Sequence, residues 1–235
     1  MRKIIAIGGG ELRERTTLKI DEYIAKLAKE HAGENRANAL FLPTASHDYM
    51  PYYNTFHKVY TGMFNIKTDV ALTVFKEVDM DKMRAKFEKA DVIYVGGGDT
   101  VFMMESWKKS GLLPLIKEAY ERGVILAGLS AGAICWFSDI YTDSAYAEPS
   151  DGEKYAMYKG LGWINGTISP HYGERMLDFD KIVCYNYDCA YGVENDAALV
   201  LEDEEIVGSV TSGGKAWKLE CKQGQLIKTE VLPCL

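Results

Sequence analysis

The run Val124-Ile125-Leu126-Ala127-Gly128-Leu129-Ser130-Ala131-Gly132-Ala133 constrains the fold more than any other stretch of the chain. An apolar run ends abruptly in G-x-S-x-G, and a helix-compatible segment, Ala131 to Phe137, follows. The pattern predicts a strand, a sharp turn and a helix, with a serine at the apex of the turn. Such an elbow holds the hydroxyl at the carboxyl edge of a sheet. Its glycines remove the Cβ atoms that would collide when strand and helix pack so closely. The new helix also aims unpaired N–H groups at the site, where they can stabilise a negative oxygen. The same string is also what a small-residue turn after a buried strand looks like, so the motif needs partners.

Strands and helices alternate through the first two-thirds of the sequence. Lys3–Ile7 reads as a strand that runs into Gly8-Gly9-Gly10. Leu18 to Glu30 carries Ile20, Tyr23, Ile24 and Leu27 at helical spacing, one apolar stripe. Ala39–Leu42, Lys67–Leu72 and Asp91–Val95 read as strands, the last running into Gly96-Gly97-Gly98-Asp99-Thr100. Tyr52 to Phe64, Asp81 to Lys89, Val101 to Lys109 and Pro114 to Arg122 read as helices. This rhythm predicts an α/β fold with a mostly parallel sheet covered by helices on both faces. The final third changes character. Ala198–Leu201, Ile206–Thr211, Ala216–Leu219 and Leu226–Val231 are short apolar runs divided by turn residues, and they predict an antiparallel extension of the same sheet. With no linker, repeat or low-complexity tract, residues 1–235 are expected to form one domain.

Composition excludes more than it selects. A net charge of −7 argues against a nucleic-acid groove and an anionic membrane surface. No apolar stretch approaches the length of a membrane span, and the apolar run after Arg2-Lys3 stops at Gly8, too short for a signal peptide. A cytoplasmic location is the expectation. The 5 cysteines are odd in number and irregular in spacing, which fits reduced thiols rather than a disulfide framework. No C-x-x-C and no His/Cys cluster of ligand spacing occurs, so neither metal nor cofactor is expected. Nucleotide binding is disfavoured as well: Arg13 and Val101 stand where a dinucleotide fingerprint needs its third glycine.

Three loops should therefore meet at the carboxyl ends of parallel strands, where ligands bind in open α/β sheets. A serine there needs a base, because a free hydroxyl is barely nucleophilic at neutral pH. Of His31, His47, His57 and His171, the last directly follows a strand-like stretch closed by proline, Thr167-Ile168-Ser169-Pro170, while His47, in the loop after the second strand, could face the site but has no clear partner. A third group should orient the imidazole. Asp143 and Glu148 are the best-placed carboxylates between Ser130 and His171, and the residues alone do not separate them.

Taken together, G-G-G-D-T, G-L-S-A-G-A-I-C-W-F, T-D-S and S-P-H-Y-G-E-R resemble the peptidase E family of serine peptidases, in particular its uncharacterised bacterial branch. The likeness runs from I-I-A-I-G-G-G to the end of the chain. It implies a fold akin to class I glutamine amidotransferases, with serine replacing their cysteine. It implies a Ser–His–acid triad of Ser130, His171 and Asp143, with Glu148 as the alternative acid. It also implies oxyanion donors at the Ala131 N–H and at Gly98. Asp99 stands where the aspartyl-dipeptidase pattern has asparagine, and a carboxylate there would repel acidic side chains and could hold a substrate's α-amino group. Arg175 resembles an arginine that meets an acidic group, or else forms an ion pair with Glu174 or Asp178. The resulting expectation is a serine exopeptidase acting on small peptides, as monomer or homodimer. An idle binding or sensory module and an esterase are the rival readings.

Overall fold

Every second residue of the central strands faces the same way, and each of the two resulting faces is apolar, so the sheet must be covered twice. The computed structural model describes residues 1–75, 77–144 and 154–234. Its first half consists of β1 (Lys3–Ile7), α1 (Leu18–Ala32), β2 (Asn38–Leu42), α2 (Met50–Phe64), β3 (Lys67–Val70), α3 (Met80–Lys89), β4 (Val92–Val95), α4 (Thr100–Ser110), α5 (Leu112–Glu121) and β5 (Ile125–Leu129). Ile5, Phe41, Tyr94 and Ala127 face α1 and α2, against Ile24, Phe56 and Tyr60. Ile4, Leu40, Ile93 and Leu126 face the other way, against Phe87, Trp107 and Ile116 of α3, α4 and α5. Side chains of this size each contribute roughly 1.5–3 kcal/mol when fully buried.

The second half adds α6 (Ala131–Ile134), β6 (Phe137–Thr142), β7 (Ala156–Lys159), β8 (Ile164–Ser169), α7 (Tyr172–Asn186), β9 (Cys189–Val193), β10 (Ala197–Glu202), β11 (Glu205–Thr211), β12 (Ala216–Lys222) and β13 (Gln225–Glu230). Among the described residues the strands form two sheets, in the orders β11-β10-β1-β5-β4-β2-β3 and β13-β12-β9-β8-β6-β7. The five strands from β1 to β3 are mutually parallel, and β10 and β11 extend them antiparallel. The α/β expectation therefore holds, and so does the antiparallel extension for β10 and β11.

Two details differ from the sequence reading. The last two strands do not prolong the first sheet. β12 pairs with β9, and both belong to a second sheet built around the parallel strands β6, β8 and β9. The helix expected over Ala131–Phe137 also stops after a single turn, at Ile134. The carbonyl of Trp136 accepts from the N–H groups of Trp163 and Ile164, so the chain leaves the helix to pair with a segment far along the sequence. Indole stacking anchors this exit: Trp136 lies 6.0 Å from Trp107 and 5.1 Å from Trp163.

Candidate active site

β5 lies between β1 and β4, so the elbow at its carboxyl end is flanked by the Gly8–Gly10 loop and the Gly96–Asp99 loop. The elbow has the predicted form. Ser130 sits at φ 52°, ψ −106°, a backbone region that non-glycine residues avoid at a cost of order 1–3 kcal/mol. The two motif glycines permit the packing: a Cβ on Gly128 would overlap the Gly132 carbonyl, and one on Gly132 would overlap that of Val95. Ser130 is further fixed by its N–H, which donates to the Ile7 carbonyl at 2.8 Å.

His171 arrives from the second sheet. It follows β8, adopts a left-handed backbone (φ 49°, ψ 38°) and stands at the N-terminal cap of α7. Its N–H donates to the Gly8 carbonyl at 3.0 Å, which moors the base to the first sheet. Its Nε2 lies 2.9 Å from Ser130 Oγ. The other ring nitrogen, Nδ1, lies 2.6 Å from Oδ1 of Asn195, in the turn between β9 and β10. Asn195 in turn donates through Nδ2 to Oε1 of Glu174 at 3.2 Å. That bond sets the amide's orientation, with its oxygen toward the imidazole. A carbonyl oxygen at Nδ1 requires the proton there and leaves Nε2 as the acceptor for the serine hydroxyl. Gly9 packs so closely against His171 and Asn195 that any Cβ would overlap both.

Asp143, expected at Nδ1, lies elsewhere. Its carboxylate accepts from Arg175 Nη2 at 3.2 Å, beyond the end of β6. Glu148 falls outside the described residues. Arg175 is buried on the first turn of α7, donates through Nη1 to the Tyr141 carbonyl at 3.1 Å, and lies 4.6 Å from the centre of the Tyr155 ring. Its partner is thus Asp143, neither Glu174 nor Asp178. Asp99 caps α4: it accepts from the Phe102 N–H at 2.9 Å and from the Ser144 hydroxyl. Gly98 precedes it, and Ala131 is the buried first residue of α6. The other histidines serve elsewhere. His31 pairs with Asp91 at 2.8 Å, His57 with Thr68 at 2.6 Å, and the His47 ring packs on Phe102. Cys135 is fully buried, and burial pushes its thiol well up, so it is inert beside the elbow.

The model of "Peptidase family S51" matches residues 4–208. The chain belongs to peptidase family S51. As a member of that family it is a serine-type peptidase, a hydrolase of peptides. The chain is 34% identical over 226 residues to the uncharacterised peptidase YgaJ of Bacillus subtilis (strain 168), covering 93% of this chain and 92% of that one. Over 99 residues it is 43% identical to the peptidase E of Salmonella gallinarum (strain 287/91 / NCTC 13346), covering 41% and 40% of the two chains. The crystal structure of a peptidase from an acI-B1 Actinobacterium superposes with a TM-score of 0.70 at 18% identity, over 99% of this chain and 94% of the other, and shares the fold.

The candidate site opens onto a cleft of about 280 Å³, lined by Glu11, Asp143, Lys154, Tyr155, His171, Glu174, Arg175 and Asn195 with Gly10. A second hollow of about 320 Å³ lies beyond Gly10 and Glu11, against Arg13, Tyr52 and Leu129. Among the described residues, no cluster of His, Cys, Asp or Glu has the arrangement to hold a metal ion, and no helix is long and apolar enough to cross a membrane. Sequence reasoning missed Asn195 and Glu174. It searched for a carboxylate between Ser130 and His171, whereas the imidazole's neighbour is a neutral amide downstream of both.

Proposed function

We propose that the chain is a serine exopeptidase of small peptides that works through an acyl-enzyme. The observation that carries this reading is the 2.9 Å approach of His171 Nε2 to Ser130 Oγ. In the proposed cycle Ser130 attacks the scissile carbonyl carbon as His171 takes its proton. The protonated imidazole then returns that proton to the leaving amine. A water attacks the ester in the second half, again through His171, and releases Ser130. The carbonyl oxygen turns negative during each attack. The Ala131 N–H and the Gly98 N–H are the donors we assign to it. On the glycine loop, Gly97 N–H already bonds Tyr52 Oη at 3.3 Å and Asp99 N–H bonds the Ala45 carbonyl at 2.8 Å, so the Gly98 amide between them is the one assigned to substrate.

In this reading Asn195 holds the imidazole in place of the expected carboxylate, and Asp143 braces Arg175. The cleft suits a short substrate: about 280 Å³ admits one or two residues. Its walls carry both signs, Lys154 and Arg175 against Glu11 and Glu174, which suits a peptide with both termini free. Asp99 is committed to the α4 cap and Glu174 to Asn195, so Glu11 is the better candidate for the amino end. A dipeptide-library screen of wild type beside Ser130→Ala tests the assignment. The variant is expected to lose turnover and labelling by a fluorophosphonate while its melting temperature shifts by less than about 2 °C. Labelling that persists would remove Ser130 from the mechanism.

A further inference from the structure

Two thiols that lie far apart in sequence meet outside the active site. Cys184 stands near the C-terminal end of α7 and Cys221 on β12, and both are partly exposed. Their Sγ atoms are 2.9 Å apart, and the Cys221 thiol also points at the Cys184 carbonyl at 3.6 Å. The backbone around them is already tied together. Cys221 N–H donates to the Asp188 carbonyl at 3.2 Å, just past the helix. Val183 and Leu219 pack in one apolar cluster, and Lys228 of the neighbouring strand bonds Asp180 at 2.5 Å. A disulfide has an S–S length of about 2.05 Å, so closing the gap needs a movement of less than about 1 Å.

We propose that Cys184 and Cys221 are a reversible disulfide site that, on exposure to a peroxide, staples α7 to β12. The chemistry is a two-electron oxidation. One thiol sulfur attacks the peroxide, the O–O bond breaks, and a sulfenic acid and one water form. The second sulfur then displaces the hydroxyl as water, forming the S–S bond, while the second thiol proton leaves with that water. Overall, two thiols and one hydrogen peroxide give one disulfide and two waters. A dithiol reductant reverses the reaction by exchange. The hydrogen-bonded contact shared with Cys221, followed by burial, pushes the Cys184 thiol up to about 11, which keeps that thiol protonated at neutral pH. Its effect is on the unfolded chain. Residues 184 and 221 close a long loop, and cross-linking such a loop removes entropy from the denatured state. The staple lies at the far end of α7 from His171, and the proposal is independent of the hydrolytic reading above.

The test compares the reduced protein with the same protein treated with hydrogen peroxide and then freed of it. The oxidised wild type is expected to lose about 2 Da, to show two fewer alkylatable thiols after denaturation, and to melt about 5–10 °C higher. All three changes should vanish with dithiothreitol. Cys184→Ser and Cys221→Ser should each abolish them. Cys189→Ser should retain them, which matters because trypsin leaves Cys184 and Cys189 on one peptide, Ile182–Lys215. Cross-linking that survives in Cys184→Ser but not in Cys189→Ser would overturn the assignment. Uptake of oxygen by the wild type with no cross-link would overturn it as well.

Discussion

At the scale of the residue, the site rests on directed hydrogen bonds more than on charge. Asn195 presents an oxygen to His171 only because its amide nitrogen is held by Glu174. Removing that hold lets the amide turn over, and an N–H facing Nδ1 would favour the wrong tautomer. Glu174→Ala is therefore expected to lower kcat by about tenfold or more, whereas Glu174→Gln, which keeps an acceptor, should stay within a few-fold of wild type. Asn195→Ala should cost at least as much as Glu174→Ala. Steady-state kinetics on one dipeptide substrate would decide, and equal losses in the Ala and Gln variants would point to charge instead of orientation. The places of Ser130 at the elbow and His171 at a strand end were legible in the sequence because each sits in a local signature, G-x-S-x-G and a strand closed by proline. Asn195 was not, since an amide carries no mark of its role until the fold brings it to the ring.

At the scale of the element, α1 and α2 meet over a buried carboxylate. Asp21 is 0% exposed, accepts from Thr17 Oγ1 at 2.7 Å and from Tyr60 Oη at 2.9 Å, and is lifted by burial to about 6 from 3.8. The folded state thus holds this proton more tightly than the unfolded chain does. Its contribution to stability is full below about pH 4 and is lost as pH rises through about 6. Asp21→Asn keeps both bonding partners and carries no charge. Relative to wild type it should be more stable by about 3 kcal/mol above pH 7 and nearly equal near pH 4. Urea midpoints for both proteins across that range measure it, and a difference that does not vary with pH would exclude Asp21 as the source. Most elements of the first half were legible because their periodicity is local. The α6 turn was not: Trp136 is drawn out of the helix by bonds to Trp163 and Ile164, a preference that no window around the elbow contains.

At the scale of the whole molecule, the second sheet is the feature that sequence patterning did not deliver. Apolar runs such as Ala216–Leu219 mark strands but not the partner they choose, because register and neighbour are set by contacts distant in sequence. The two sheets share one apolar core, in which Ile4, Leu40 and Leu126 of the first lie with Phe137, Ile140 and Ile168 of the second. One domain is the organisation we propose for residues 1–235. A single unfolding transition is expected, with calorimetric and van't Hoff enthalpies equal within about 10%. Two resolved transitions in scanning calorimetry would divide the molecule between its sheets.

The Gly8–Gly10 loop receives the N–H of His171 through one carbonyl and that of Asp196 through the next. The hydroxyl and the imidazole therefore sit on opposite banks of a seam between sheets, bridged at this loop by two backbone bonds. A slip along that seam too small to register as denaturation would still separate oxygen from nitrogen, and displacements of about 1 Å are enough to slow such a reaction a hundredfold. Dilute urea, well below the midpoint, should silence the enzyme while its circular dichroism stays native.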